Sequence, residues 1–147
     1  MNKNQVEEFH QEIVELVKKY QFRDREQIVC SGISVSQCYI LETLHTNGPL
    51  TVSELAGKMH LSISTITRVF DQLVKKELAV RERAPNDKRV YLCHLTEKGE
   101  AIYQQSWTNI FESEKAILAN FQPEHREMLI DFLKKLNHAV DQWQSQC

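Results

Sequence analysis

Glycine and proline are scarce in this chain, four and three respectively among 147 residues. So few turn formers exclude a turn-rich β-sandwich, a collagen-like repeat and a disordered tail, and leave long helices as the main way of organising the backbone. No window holds the eighteen or so uncharged apolar residues that a membrane span needs. The opening MNKNQVEEFHQEIVELVKK is acidic and amphipathic, where a signal peptide is basic and then apolar, so a cytoplasmic protein is expected. An excess of positive charge is missing too: eighteen Lys and Arg against twenty Asp and Glu leave a net charge of −2. That excludes binding as a polycation and confines any nucleic-acid surface to one part of the chain. Cys30, Cys38, Cys93 and Cys147 are irregularly spaced in a chain that is 41% apolar, which favours reduced thiols over a disulfide scaffold. There is no G-x-S-x-G, no H-E-x-x-H and no glycine-rich loop, so nothing marks an enzyme.

What is present is helical periodicity with clear punctuation. Val6, Phe9, Ile13, Leu16, Val17 and Tyr20 form one apolar stripe on a first helix. Ser34, with Gln37 three residues on, predicts a capping box and a second helix that ends before Asn47-Gly48-Pro49. Thr51-Val52-Ser53-Glu54 repeats the box more cleanly and opens a short helix, and after the turn at His60-Leu61 a fourth helix starts at Ser62 and runs to Lys76. Leu78–Arg83 and Val90–Leu95 read as two strands around the loop Ala84–Arg89, which is rich in turn formers. Thr96 caps a long helix with Ile102, Tyr103, Trp107, Ile110, Phe111, Ile117, Leu118 and Phe121. Pro123 then opens a last one carrying Leu129, Phe132, Leu133, Leu136, Val140 and Trp143. The expected fold class is mainly α with a small β-hairpin: a winged helix-turn-helix plus a helical dimerisation region formed by the N- and C-terminal helices. Residues 1–33 and 96–147 make up the dimerisation region, and residues 34–95 the DNA-binding domain.

Two short crossing helices followed at once by a hairpin are the plan in which the second helix enters a DNA major groove. His60 takes the turn position where glycine is commoner, and His tolerates left-handed backbone angles better than most residues. At 100° per residue, burying Ile63, Ile66, Phe70 and Leu73 turns Ser64, Arg68 and Lys75 outward with Thr65 and Thr67 on the flanks. Arg can grip guanine O6 and N7, Ser and Thr serve base edges or phosphates, and the helix N-terminus at Ser62 suits a phosphate. Thr51, Ser62, Ser64, Thr65, Thr67, Arg68, Lys75, Lys88 and Arg89 are therefore the candidate DNA contacts. Arg89 is assigned to the minor groove at the hairpin tip, and Asp87 holds that turn. Asp71 also faces outward and should pair with a basic neighbour. Residues 50–100 carry nine Lys and Arg against seven Asp and Glu, a local +2, while the remainder carries nine against thirteen, −4. A solvated helix face and a wet, charged hairpin tip are the ordinary alternatives.

The stretch LTVSELAGKMHLSISTITRVFDQLVKKELAVRERAPNDKRVYLCHLTEKG resembles the MarR (multiple antibiotic resistance regulator) family in its L-T-x-x-E-L-A entry, S-x-S-T-x-T-R helix, D-x-R wing and closing L-T-x-x-G. Two positions depart from the pattern: Lys88 stands where Arg is frequent, and Glu77 where glycine is usual. The resemblance implies a homodimer in which the first, fifth and sixth helices of two subunits intertwine and present two recognition helices to a pseudo-palindromic double-stranded operator. It also implies a transcriptional regulator, expected to be a repressor released by a small molecule, an oxidant or a metal. The apolar stripes of the first and last helices agree, since on a monomer they would be exposed patches.

The signal itself is open. Cys38, Glu42 and His45 fall on one helix face with Cys30 just before it, and thiolate, carboxylate and imidazole suit Zn²⁺ or a similar ion. The same Cys30 and Cys38 could serve a thiol switch, or be plain buried cysteines. No cofactor is required; a metal or thiol-reactive effector is one candidate. Another is an aromatic anion in a pocket lined by some of Tyr20, Phe22, Tyr39 and Trp107. The rival class is a winged-helix protein-interaction module, which would lack the steeply salt-dependent duplex affinity of a regulator.

Overall fold

Side-chain caps set most of the helix boundaries in the computed structural model, which describes residues 1–29 and 32–147. The elements run α1 (Lys3–Val29), α2 (Val35–Asn47), α3 (Val52–Met59), α4 (Ile63–Lys75), β1 (Ala79–Arg83), β2 (Tyr91–Leu95), α5 (Glu97–Leu118) and α6 (Pro123–Gln144). This is the predicted order. α1 runs well past Tyr20, because QFRDREQIV contains neither glycine nor proline and is rich in good helix formers. Reciprocal capping boxes open α1, between Asn2 and Gln5, and α2, where Ser34 Oγ accepts from Gln37 N–H and Gln37 Oε1 accepts from Ser34 N–H. At α3, Thr51 Oγ1 accepts from Glu54 N–H at 3.1 Å. Gly48 closes α2 at φ 77°, a left-handed angle that glycine adopts without strain.

His60 does take the left-handed turn between α3 and α4, at φ 54°, and its N–H and that of Leu61 return to Gly57 and Ala56 carbonyls. α4 then packs through Ile66, Val69, Phe70 and Leu73, three of them fully buried. Each such burial is worth about 1.5–3 kcal/mol. Ile63 is a correction: predicted inside with Ile66, Val69, Phe70 and Leu73, it is 54% exposed, while the other four are buried. Ile63 is the first residue of the helix, where the chain has only just left the turn.

β1 and β2 pair antiparallel, with Arg81 opposite Cys93 and Ala79 opposite Leu95. Leu50, just before α3, adds a bridge to Cys93 through bonds of 2.7 and 3.3 Å, which ties the entry of the helix-turn-helix to the wing. The core of the N-terminal compact unit, Met1–Ile110, lies among α2, α3, α4 and the hairpin, with Ile40, Leu41, Leu55, Phe70 and Cys93 fully enclosed. Phe111–Cys147 forms a second compact unit. Within it, α6 buries none of its residues, and Phe132 and Trp143 stand exposed. Among the described residues no helix is long and apolar enough to cross a membrane.

Candidate nucleic-acid interface

The exposed side of α4 forms an open groove of about 480 Å³ lined by Ser64, Thr67, Arg68, Asp71, Gln72 and Lys75. At its head the hydroxyls are already ordered. Ser62 Oγ accepts from Thr65 N–H at 3.2 Å, donates to Thr65 Oγ1 at 2.8 Å, and lies 3.2 Å from Ser64 Oγ. Thr67 donates its hydroxyl to the Ile63 carbonyl, so what it keeps for a ligand is acceptor capacity and a methyl group. Arg68 and Lys75 are exposed and have no hydrogen-bond or ion-pair partner among the described residues. Asp71, the acid on this side, is held by Arg81 of β1 at 2.6 Å, and that guanidinium also lies over the Phe70 ring at 4.8 Å. Thr51 sits apart from the groove at the start of α3, its Oγ1 occupied as a cap.

In the wing, Asp87 holds the turn. Its carboxylate accepts from the Arg89 backbone N–H at 3.0 Å and from the Arg89 guanidinium at 3.1 and 3.3 Å, and these bonds hold its pKa below the usual carboxylate range. Its carbonyl accepts from Val90 N–H. The Arg89 side chain is otherwise open to solvent, and Lys88 is exposed.

The candidate effector residues are partly brought together. Tyr39 Oη donates to buried Asp24, Asp24 is paired with Arg23 at 2.6 Å, and Arg23 lies over the Tyr20 ring at 4.3 Å. Burial, followed by Asp24, pushes the Tyr39 phenol well above its ordinary value. Phe22 and Trp107 are exposed. Asp24 carried no signal in the sequence, being one charge within a helical run of alternating charges.

Cys38, Glu42 and His45 are not gathered into a ligand set, and among the described residues no group of three or more His, Cys, Asp or Glu could hold a metal. Cys38 is 1% exposed, and its thiol is pushed up to about 11, by burial first and then by Glu42. Glu42 is itself raised by burial and by Asp24. His45 turns Nδ1 to Glu100 at 2.6 Å and packs on the Tyr103 ring. Cys30 lies outside the described residues.

Comparison with known proteins agrees with this geometry. The MarR family profile matches residues 33–91. The uncharacterized HTH-type transcriptional regulator YsmB of Bacillus subtilis is 34% identical over 118 residues, covering 80% of this chain and 81% of that one. The HTH-type transcriptional repressor MdtR of the same organism is 30% identical, over 72% of this chain and 66% of that one. A MarR family protein of Bacillus stearothermophilus superposes with a TM-score of 0.86 at 29% identity, over 96% of this chain and 99% of that one. These relatives are regulators, not enzymes. Sequence likeness, the helix-turn-helix with its wing, and superposition over nearly the whole length all lead to one assignment: the chain belongs to the MarR family of DNA-binding transcriptional regulators.

Proposed function

We propose that the chain works as a cytoplasmic homodimeric repressor that binds a pseudo-palindromic operator and is released by an effector. Residues 34–95 bind DNA, and residues 1–33 and 96–147 join the two subunits. Arg68 and Ser64 read major-groove base edges. Thr65, Lys75, Thr51 and the helix N-terminus at Ser62 position the phosphate backbone, Thr67 meets a base edge with the acceptor capacity and methyl group it keeps, and Lys88 and Arg89 approach the minor groove on the turn that Asp87 braces. The observation that carries this reading is the side of α4 opposite its buried face, where Arg68 and Lys75 are unpaired beside an acid already neutralised by Arg81. Dimerisation is supported by Val6, Phe9, Leu16 and Val17 on α1 and by Phe132, Leu133, Val140 and Trp143 on α6, which are apolar and exposed in a single chain. The repressor role is supported by the relative MdtR, itself a repressor.

The Tyr20–Arg23–Asp24–Tyr39 cluster is the proposed place where an effector acts; the Arg23 charge there is already met by Asp24, so an aromatic ligand is favoured by the Tyr20 and Tyr39 rings. A Cys38-centred thiol switch is disfavoured by the enclosure of that sulfur. The test is selection of bound fragments from the host's own DNA, repeated with Zn²⁺, peroxide and salicylate-like acids. Arg68→Ala should relax base preference at one position, a discrimination of about 1–3 kcal/mol. Arg89→Ala should weaken binding on all sequences and flatten the salt dependence. Wild-type behaviour in both variants would overturn the assigned contacts.

A further inference from the structure

A buried amide sits between the start of α2 and the groove of α4. Gln37 is 4% exposed. Its Oε1 accepts from Ser34 N–H at 3.2 Å and from Lys76 Nζ at 2.8 Å, and its Nε2 donates to Gln72 Oε1 at 3.0 Å. Lys76 also donates to the Gly32 carbonyl at 3.2 Å. The direction of this chain of bonds has one solution. An ammonium and a backbone N–H can only donate, so the Gln37 atom that meets both is oxygen. Its nitrogen then faces Gln72, which must answer with its own oxygen. The two amides are thereby oriented by the donors around them, whichever way either side chain is first drawn. With Oε1 held by Gln37, the free donor of Gln72 is Nε2, in the groove it lines with Ser64, Arg68, Asp71 and Lys75.

We infer that Gln72 meets the duplex as a hydrogen-bond donor through Nε2, its polarity set from the interior by Ser34 and Lys76 through Gln37. This rests on α4 being the reading helix. The group it meets is a hydrogen-bond acceptor: a phosphate oxygen, or the O6, N7 or O4 atoms that guanine, adenine and thymine present in the major groove. Cytosine, whose major-groove edge offers only an amino donor, is rejected. Gln37 touches no DNA and is a positioning residue.

Gln37→Glu tests the polarity directly. Glu serves a capping box as well as Gln does, and its carboxylate keeps Lys76 as a partner, but it cannot donate. Gln72 must then turn Nε2 inward and present its carbonyl to the groove. Wild type, Q37E, Q72A and the double variant are compared on a randomised duplex library at fixed salt, the double-variant cycle removing the plain effect of the added charge. Q72A is expected to weaken binding roughly fivefold, the scale of one hydrogen bond. Where the acceptor is a base, Q72A flattens the preference at one base pair and Q37E moves it toward cytosine or adenine. Where it is a phosphate, both weaken binding on every sequence, Q37E more than Q72A. Q72A binding like wild type, or Q37E and Q72A acting independently, overturns the inference, while failure of the wild type to bind any duplex overturns the reading beneath it. Should Q37E not fold, side-chain amide exchange in the wild type decides: Gln37 protons protected and Gln72 protons exchanging freely until duplex is added support the inference, and the reverse overturns it.

Discussion

Gly99→Ala is the substitution whose outcome the structure constrains most tightly. A Cβ on Gly99 would lie 1.9 Å from the backbone oxygen of Leu78 and 2.9 Å from its carbon, about 1 Å inside any distance that real Cβ atoms show. Neither side can yield cheaply, because both atoms belong to backbone that is stitched together here. Thr96 N–H donates to Leu78 O at 3.1 Å, Thr96 Oγ1 donates to Glu77 O at 2.7 Å, and Gly99 N–H donates to Thr96 Oγ1 at 3.0 Å. Retreat of α5 by 1 Å stretches the first two beyond use. Overpacking of this kind costs about 1–3 kcal/mol, and each stranded backbone group adds about 1–3 kcal/mol. A loss of roughly 3–5 kcal/mol follows, a large share of the stability of a typical domain. Gly57→Ala is the matched control: Gly57 lies inside α3 with nothing within 4 Å of its would-be Cβ, so the same methyl should stabilise by about 0.5–1 kcal/mol through helix propensity. Urea unfolding followed by circular dichroism at one fixed protein concentration measures both. A Gly99→Ala protein within 1 kcal/mol of wild type, or one no worse than Gly57→Ala, would refute the steric argument.

Two further outcomes follow from pairings in the same unit. Arg81→Ala should weaken duplex binding by unmasking Asp71, and adding Asp71→Ala should restore most of the loss; a double variant as weak as Arg81→Ala in fluorescence anisotropy removes the neutralising role. At pH 8, iodoacetamide should label Cys147 and spare Cys38 and Cys93, whose thiols burial pushes up to about 11, as peptide mass spectrometry can check. Because those two pKa values are raised on folding, the native state keeps protons that the unfolded chain releases above the ordinary value of 9.0. Stability conferred below that pH is therefore lost as pH climbs from about 9 to 11, and urea midpoints that hold or rise across that window contradict the assignment.

Punctuation made the helix-turn-helix legible. Ser34, Thr51 and Ser62 all cap as their residue types predict, His60 takes the left-handed turn, and Pro123 opens the last helix. Glu77 shows the limit of that method. It stands at φ 62°, the left-handed angle that explains the usual glycine there, yet nothing local in Lys-Lys-Glu-Leu announces a reversal, and the family pattern marked the position only by its usual residue. Ile63 misled because periodicity places a residue by angle alone, while the first turn of a helix has neighbours on one side only. The reach of Gln37 beyond its capping box, and the partners of Gln72, Lys76 and Arg81, escaped notice for a different reason. These polar pairs are 10 to 44 positions apart, and long-range pairing leaves no period in the sequence.

Long-range pairing also reconciles a chain of charge −2 with a DNA-binding surface. Of the seven acids between residues 50 and 100, Asp71 is paired with Arg81, Asp87 with Arg89 and Glu77 with Lys98, while Glu82 and Glu100 lie against the imidazoles of His94 and His45, which cancel charge only when protonated. None of these pairs involves Arg68, Lys75 or Lys88, the cations assigned to the duplex on α4 and the wing tip. A short-range field is set by which charges stay uncompensated within a Debye length, about 8–10 Å at physiological salt, and not by the sum over the chain. Arg89 is the exception, already engaged by Asp87 before any duplex arrives. Its approach to a minor groove therefore exchanges one anion for another, which is why its contribution should respond to salt more than to sequence.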